Sequence, residues 1–261
     1  MSGKDWRFID LDLIQLEKLH GIEEALLRSK KAKPTIIFWR ADRFVLTLGY
    51  FAKAEDKLNL ENCRRLGVWF VRRITGGSVG PLDPKILSYS LIVDEDNPII
   101  PENIEKSYEL ICLGIVKALR MVGLQAYLTR MSDVLVDGRK VSGSAQTRVL
   151  GKVLQHGFIY LDLDLELFRS LLNTDKLKEK VFSLDKRVSW VNLELKKIGK
   201  KALDVQEFKP YLKKGFEEAL KVKLLDSSLT ESEKRKGEKY AKKFFTEEWN
   251  LNRKSFTRNQ Q

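Results

Sequence analysis

The chain has 261 residues, enough for one large domain with a sizeable core. Its composition is globular, 43% hydrophobic and 32% charged, and no apolar run is long enough to cross a bilayer. Two cysteines cannot form a disulfide framework, and two histidines argue against a histidine-rich metal centre.

The net charge of +12 is unevenly placed. Residues 176–261 hold 23 Lys and Arg against 13 Asp and Glu, so that third carries +10 and the rest of the chain +2. The plain reading of such a segment is a set of helices with a solvated lysine face. A basic face would also suit an acidic protein partner. No zinc-finger spacing or aromatic RNA-binding strand pattern accompanies it, so neither nucleic acid nor a membrane is expected as a partner. The N-terminus, MSGKDWRFIDLDL, has no apolar signal region, and a soluble, cytoplasmic protein is expected.

In chain order, Leu11 to Lys30 has the spacing of a helix through Leu13, Leu16, Leu19, Ile22 and Leu26. Thr35 to Trp39 and Phe44 to Leu48 are apolar runs joined by the short loop Arg40-Ala41-Asp42-Arg43, which predicts a hairpin. A helix is expected from Asp56 to Leu66, stopped at Gly67, then strands at Val68 to Arg72 and Leu87 to Val93. Ile104, Tyr108, Ile111, Ile115 and Leu119 keep helical spacing up to Gly123. Asp133 to Val136 and the return through Lys140 form a hairpin around Asp137-Gly138, the dipeptide suited to a two-residue turn. Val153 to Leu161 reads as a further strand. Beyond Phe168 the pattern is helical, with Phe208, Leu212, Phe216 and Leu220 on one seam and a capping box at Thr230 and Glu233. Hairpins outnumber β-α-β units, which predicts an α+β fold with a mixed, largely antiparallel sheet flanked by helices. One domain over residues 1–250 is expected, helical and basic from about 170, with a mobile tail at 251–261.

Two stretches carry chemistry. In the first, Lys140 is followed closely by Gly143, Ser144 and Ala145, residues small enough for a ligand to approach the backbone. A lysine there supplies a point charge for a phosphate or an oxyanion. Residue types alone favour the plainer reading, a solvated strand lysine beside a bulge. The second stretch, Val71 to Ser90, leaves a strand through Arg72 and Arg73 into a loop bearing Gly76, Gly77, Ser78, Val79, Gly80 and Pro81. A glycine loop beside cations suits an anion, although such loops are more often plain turns. It is neither a Walker A nor a dinucleotide-binding sequence. If the strands bring both stretches together, they form one anion-handling pocket.

RRITGG at residues 72–77, GRKVSGSAQTRVLGKVLQHG at 138–157 and TEEWN at 246–250 resemble the lipoate–protein ligase and octanoyltransferase family, relatives of biotin protein ligase. The resemblance runs from about Thr35 to Asn250 and implies that family's catalytic-domain fold. It implies attachment of lipoate or octanoate to an acceptor lysine through an acyl-adenylate, with ATP and Mg2+. Arg73 and the loop from Gly76 to Pro81 would hold the nucleotide. Lys140 would contact both the acyl carbonyl and the α-phosphate. Gly143, Ser144 and Ala145 would line the acyl channel, His156 would close the pocket, and Asp133 would lie near the metal. An acidic lipoyl domain or a glycine-cleavage H protein is the implied acceptor, and, as in archaeal relatives, a separate accessory protein would take the place of the accessory domain of bacterial ligases.

The sequence departs from the family at two places. The loop continues through Leu82 and Asp83 where relatives have a His-Asp pair, and Pro81 has no amide to donate. Cysteine-dependent octanoyltransferases carry a nucleophile upstream of the lysine, but Gln125 to Met131 holds no cysteine. Cys63 and Cys112 read as buried thiols in helices. The missing thiol favours the ligase, whereas the altered loop weakens the expected nucleotide contacts; a cysteine-independent transfer from a carrier protein and a non-catalytic lipoyl-binding role are the alternatives.

Overall fold

A computed structural model describes residues 5–129 and 132–252. Strand β1 (Asp5–Ile14) leads into helix α1 (Leu16–Leu27), then β2 (Thr35–Ala41) and β3 (Val45–Leu48). Short helices α2 (Ala54–Lys57) and α3 (Leu60–Arg65) precede β4 (Phe70–Arg72), β5 (Val79–Leu82) and β6 (Ile86–Asp94). Helix α4 (Ile104–Met121) is followed by β7 (Ala126–Leu128), β8 (Asp133–Val136), β9 (Arg139–Val149) and β10 (Lys152–Tyr160). The remainder is α5 (Leu165–Ser170), α6 (Thr174–Phe182), α7 (Leu184–Arg187), α8 (Val191–Lys197), α9 (Val205–Leu220), β11 (Lys223–Asp226), α10 (Glu231–Phe244) and α11 (Glu247–Asn250).

Eight strands form one sheet in the order β11-β1-β2-β6-β10-β9-β8-β7. The pairs β1–β11 and β1–β2 are parallel, and the other pairings in this sheet are antiparallel. The fold is therefore α+β with a mixed, largely antiparallel sheet, as its hairpin-rich pattern predicts. One face is covered by α4 and α9, whose Ile111, Ile115, Phe208, Leu212 and Phe216 pack on Phe8, Phe38 and Tyr89. The other face is covered by α1 and α10, with Leu19, Ile22, Leu26 and Phe244 against Ile37, Leu154 and Tyr160. The basic helices α9 and α10 thus pack on the same sheet as α4 and α1. No helix among the described residues is long and apolar enough to cross a membrane.

Three sequence expectations are corrected. The helix expected from Leu11 begins only at Leu16, because residues up to Ile14 remain paired to β2, with a bulge between Asp10 and Asp12. The runs at Thr35 and Phe44 do not form a hairpin. Their second strand, β3, joins β4 and β5 in a separate three-stranded sheet. The residues between them turn the chain from one sheet to the other, with Arg40 ion-paired to Asp12 and Arg43 to Glu17. The helix from Asp56 is broken at Leu58, which is extended and bridges to Leu172, and Asn59 caps a new helix by accepting the Asn62 N–H. Residues 253–261, the greater part of the expected mobile tail, lie outside the described residues, as do Arg130 and Met131 of the segment read for a thiol.

Candidate active site

The turn between β8 and β9 is the expected two-residue one, with Asp137 and Gly138 both at positive φ and Val136 paired to Arg139. The pairing then slips: Leu135 opposes Lys140 and Val134 opposes Ser142, so Val141 is an extra residue on β9. Such a bulge re-aims the neighbouring side chain. Here it lays Lys140 across Gly143. A Cβ built on Gly143 would stand 2.6 Å from the Lys140 Cε and Nζ. The ammonium lies 2.8 Å from an Asp133 carboxylate oxygen and 5.8 Å from the Phe158 ring centroid. Lys140 is thus turned into a cavity, not into bulk solvent.

The cavity has a volume of about 190 Å³ and is bounded on one side by β9 and β10 and on the other by the glycine loop and α1. Lys140, Asp133, Gly143, Ser144, Ala145 and His156 line it together with Arg73, Gly77, Ser78, Val79 and Gly80. Two stretches about sixty residues apart therefore meet in one place. Gly76 and Pro81 are not among the lining residues. Gly76 points its carbonyl at Arg73, and Pro81 pairs with Leu46 inside the small sheet, so neither is placed to touch a ligand held in the cavity.

Arg73 does not reach across the cavity as a free cation. Its guanidinium donates to the Thr75 hydroxyl at 3.0 Å, the Gly76 carbonyl at 2.6 Å and the Ser78 carbonyl at 3.2 Å, so it staples the loop from inside. Burial lowers its pKa to about 10, which leaves it charged at neutral pH. The loop is also seated on Gly49, where a Cβ would come within 2.0 Å of the Gly77 carbonyl oxygen. Gly77 itself has φ of 102°, a conformation that L side chains rarely adopt.

His156 is likewise committed. Its Nδ1 lies 2.9 Å from Glu23 and its Nε2 2.7 Å from the Thr75 hydroxyl, leaving no ring nitrogen for a ligand. Glu23 also accepts from Ser90 at 2.6 Å and pairs with His20 Nδ1 at 2.7 Å. Sequence reasoning missed Glu23 and His20 altogether. The only sequence signal was an acidic residue on the buried stripe of α1. Glu23 is fully buried. Burial alone would raise its pKa, but the charge and hydrogen bonds of the two imidazoles carry it below the usual carboxylate range. The network runs from Glu23 through His156 and Thr75 to Arg73, and so ties the glycine loop to α1.

The two histidines and Glu23 are the group of three among the described residues with potential ligand atoms close together, and all three are buried. Asp133, read as lying near a metal, is a single carboxylate already neutralised by Lys140. A magnesium site needs one or two free carboxylates with phosphate or water. Asp133 does not fit that role, and no metal centre is assigned to it.

Across the large sheet the cavity follows one row of Cα-paired residues: Gly143 opposite Phe158, Phe158 opposite Ser88, and Ser88 opposite Trp39. Directly opposed residues share a face. Three strand spacings make a track roughly 14 Å long. It has a cation at one end and Trp39 and Leu16 at the other. Such a channel suits a short fatty chain with its carbonyl beside Lys140. No cysteine is among its lining residues. Cys112 sits beneath the floor, 3.6 Å from the Ser144 hydroxyl, and burial pushes its thiol up to about 11, so it is no nucleophile at neutral pH. Cys63 is buried in the core of the small sheet.

A small-residue strand, an inward lysine and an apolar channel beside a glycine loop define an acyl-handling enzyme on a mixed sheet. The sequence model of the lipoyl protein ligase A/B catalytic domain matches residues 18–217, and the chain belongs to that family. It is 34% identical to the octanoyltransferase LipM of Geobacillus kaustophilus, over 97% of this chain and 100% of that one. It is 32% identical to LipM of Brevibacillus brevis over 96% and 100%. Among solved structures it resembles the archaeal lipoylation system of Thermoplasma acidophilum, a bi-partite lipoate protein ligase and its E2 lipoyl domain (TM-score 0.85, 26% identity, 97% of this chain and 98% of that one). It also resembles lipoate-protein ligase A bound with ATP (TM-score 0.81, 25% identity, 96% and 100%). The chain is accordingly an enzyme of the lipoate-protein ligase and octanoyltransferase family.

Proposed function

We propose that the chain transfers an octanoyl or lipoyl group from a thioester on a carrier protein to a lysine of a lipoyl domain, without an acyl-enzyme. The observation that carries this reading is the channel that ends at Lys140 and has no thiol in its lining. The two LipM octanoyltransferases matched over their full length support transfer as the reaction type. The acyl chain lies along the row from Gly143 to Trp39, and the carbonyl oxygen faces Lys140. The acceptor amine attacks the carbonyl carbon; the C–N bond forms, negative charge gathers on the oxygen, and the C–S bond breaks to release the carrier thiol. The ammonium stabilises that oxyanion, and Asp133 holds the ammonium in place. Proximity of amine and thioester supplies much of the remaining acceleration.

A second reading is ATP-dependent ligation through an acyl-adenylate. It is favoured by the glycine loop beside Lys140 and by the likeness to the ATP-bound ligase. Because Arg73 is spent on the loop, a phosphate there would rely on Lys140 and on the part of the glycine loop that lines the cavity. One experiment separates the two. The purified chain is incubated with an unmodified lipoyl domain and either octanoyl-carrier thioester or octanoate with ATP and magnesium, and the acceptor mass is read. An octanoyl mass increment from the thioester alone supports transfer. An increment from octanoate and ATP alone supports ligation, and no increment in either arm overturns both.

A further inference from the structure

Two polar atoms along the channel have no partner. His20 is 1% exposed and Ser88 0%, and both line the cavity. Neither the His20 Nε2 nor the Ser88 Oγ makes a hydrogen bond among the described residues. Buried polar atoms in folded proteins are nearly always paired. Two orphans in the wall of one cavity point to a ligand that pairs with them. They lie towards its far end. Ser88 is flanked by Trp39 and Phe158 in the sheet, and His20 projects from α1, the helix that also contributes Leu16.

The chemistry of that ligand follows from their roles. His20 donates its Nδ1 N–H to Glu23, and in that tautomer Nε2 is the ring atom that faces the cavity as an acceptor. Ser88 has a hydroxyl proton to donate. A methyl-ended octanoyl chain satisfies neither. A chain with sulfur near its end satisfies both: a thiol S–H donates to His20, and a sulfur lone pair accepts from Ser88.

We infer that His20 and Ser88 select the distal end of the acyl chain, favouring one that bears a dithiol over the disulfide form and both over plain octanoyl. This rests on the acyl-channel reading above and sharpens its substrate class. The order follows from donor count. The reduced dithiol supplies a donor and acceptors, the cyclic disulfide supplies acceptors alone, and octanoyl supplies neither.

The test is direct binding of dihydrolipoate, lipoate and octanoate to the whole chain, followed by calorimetry. Two variants are compared: Ser88→Ala, and His20→Asn, whose amide keeps a donor near the Nδ1 position for Glu23 and deletes Nε2. At about a factor of five per hydrogen bond, dihydrolipoate should bind roughly twentyfold tighter than octanoate, and each variant should remove about fivefold. In both variants dihydrolipoate should lose more affinity than octanoate, so that the ratio between the two acids narrows about fivefold. Equal affinity for all three acids, or variants that shift all three alike, would overturn the inference and leave the acyl channel standing. Failure of every acid to bind would overturn the channel itself.

Discussion

A Cβ on Gly143 would take the space through which the Lys140 side chain passes. That makes the lysine and the glycine a single device, and the two should fail together. Lys140→Ala is expected to reduce acyl transfer about a hundredfold, the effect of losing a charge worth about 3 kcal/mol to the transition state, with melting temperature unchanged. Gly143→Ala should lose a similar factor while leaving the lysine in the chain. Wild-type rates in Gly143→Ala would show that the ammonium does not act from where it lies. The buried carboxylate beneath the loop has its own signature. Burial drives the His156 pKa below its ordinary value, and the attraction of Glu23 opposes this without reversing it. The unfolded chain binds a proton on that ring below about pH 6.5 that the folded chain refuses, so stability should fall from pH 7 to pH 5. Glu23, depressed in the folded state, adds a second loss as the pH falls below about 4.5. Urea denaturation across this range reads both steps, and a flat profile would remove the buried charge from the account.

At the scale of elements, the late TEEWN motif is explained by a contact that its spacing could not announce. Helix α11 docks on β4. The Asn250 side chain accepts the Arg72 N–H at 2.8 Å, and the Trp249 indole donates to the Arg72 carbonyl at 2.7 Å. The buried Arg72 guanidinium in turn donates to carbonyls of Asn250, Tyr50 and Ala52. The two arginines of the RRITGG motif thus have different duties: Arg72 anchors the C-terminal helix, and Arg73 shapes the loop. Asn250→Ala should destabilise the fold by about 2–3 kcal/mol, because it strands a buried backbone donor. Chemical denaturation measures it, and a change within experimental error would mean that the contact is dispensable. The Asp137-Gly138 turn and the strands around it were legible, since glycine and aspartate tolerate positive φ. The bulge at Val141 was not, because it is a property of the pairing and not of either strand.

For the molecule as a whole, the charge asymmetry of the sequence becomes a geometric one. Helices α9 and α10 lie on opposite faces of the large sheet, so their lysines are divided between two sides of the molecule. An acidic lipoyl domain would be steered by that field, whose reach at physiological salt is about 8 Å. Raising salt from 50 to 500 mM should therefore raise the acceptor KM while leaving the affinity for the free acyl group unchanged. Steady-state kinetics at two salt concentrations check this, and an acceptor KM independent of salt would argue for an apolar docking surface.

Residue types and spacing determined a good deal unaided. The lysine beside three small residues, the glycine loop and the α+β class all follow from local rules of turn chemistry and side-chain size. What the tertiary structure decided is where those pieces face. Strand pairing put β3 in a second sheet and carried the glycine loop over β10. The same packing drew Glu23, His20 and His156 into one buried network and left two polar atoms open to the channel. Periodicity reports which side of an element is apolar; it carries no information on which other element will cover that side.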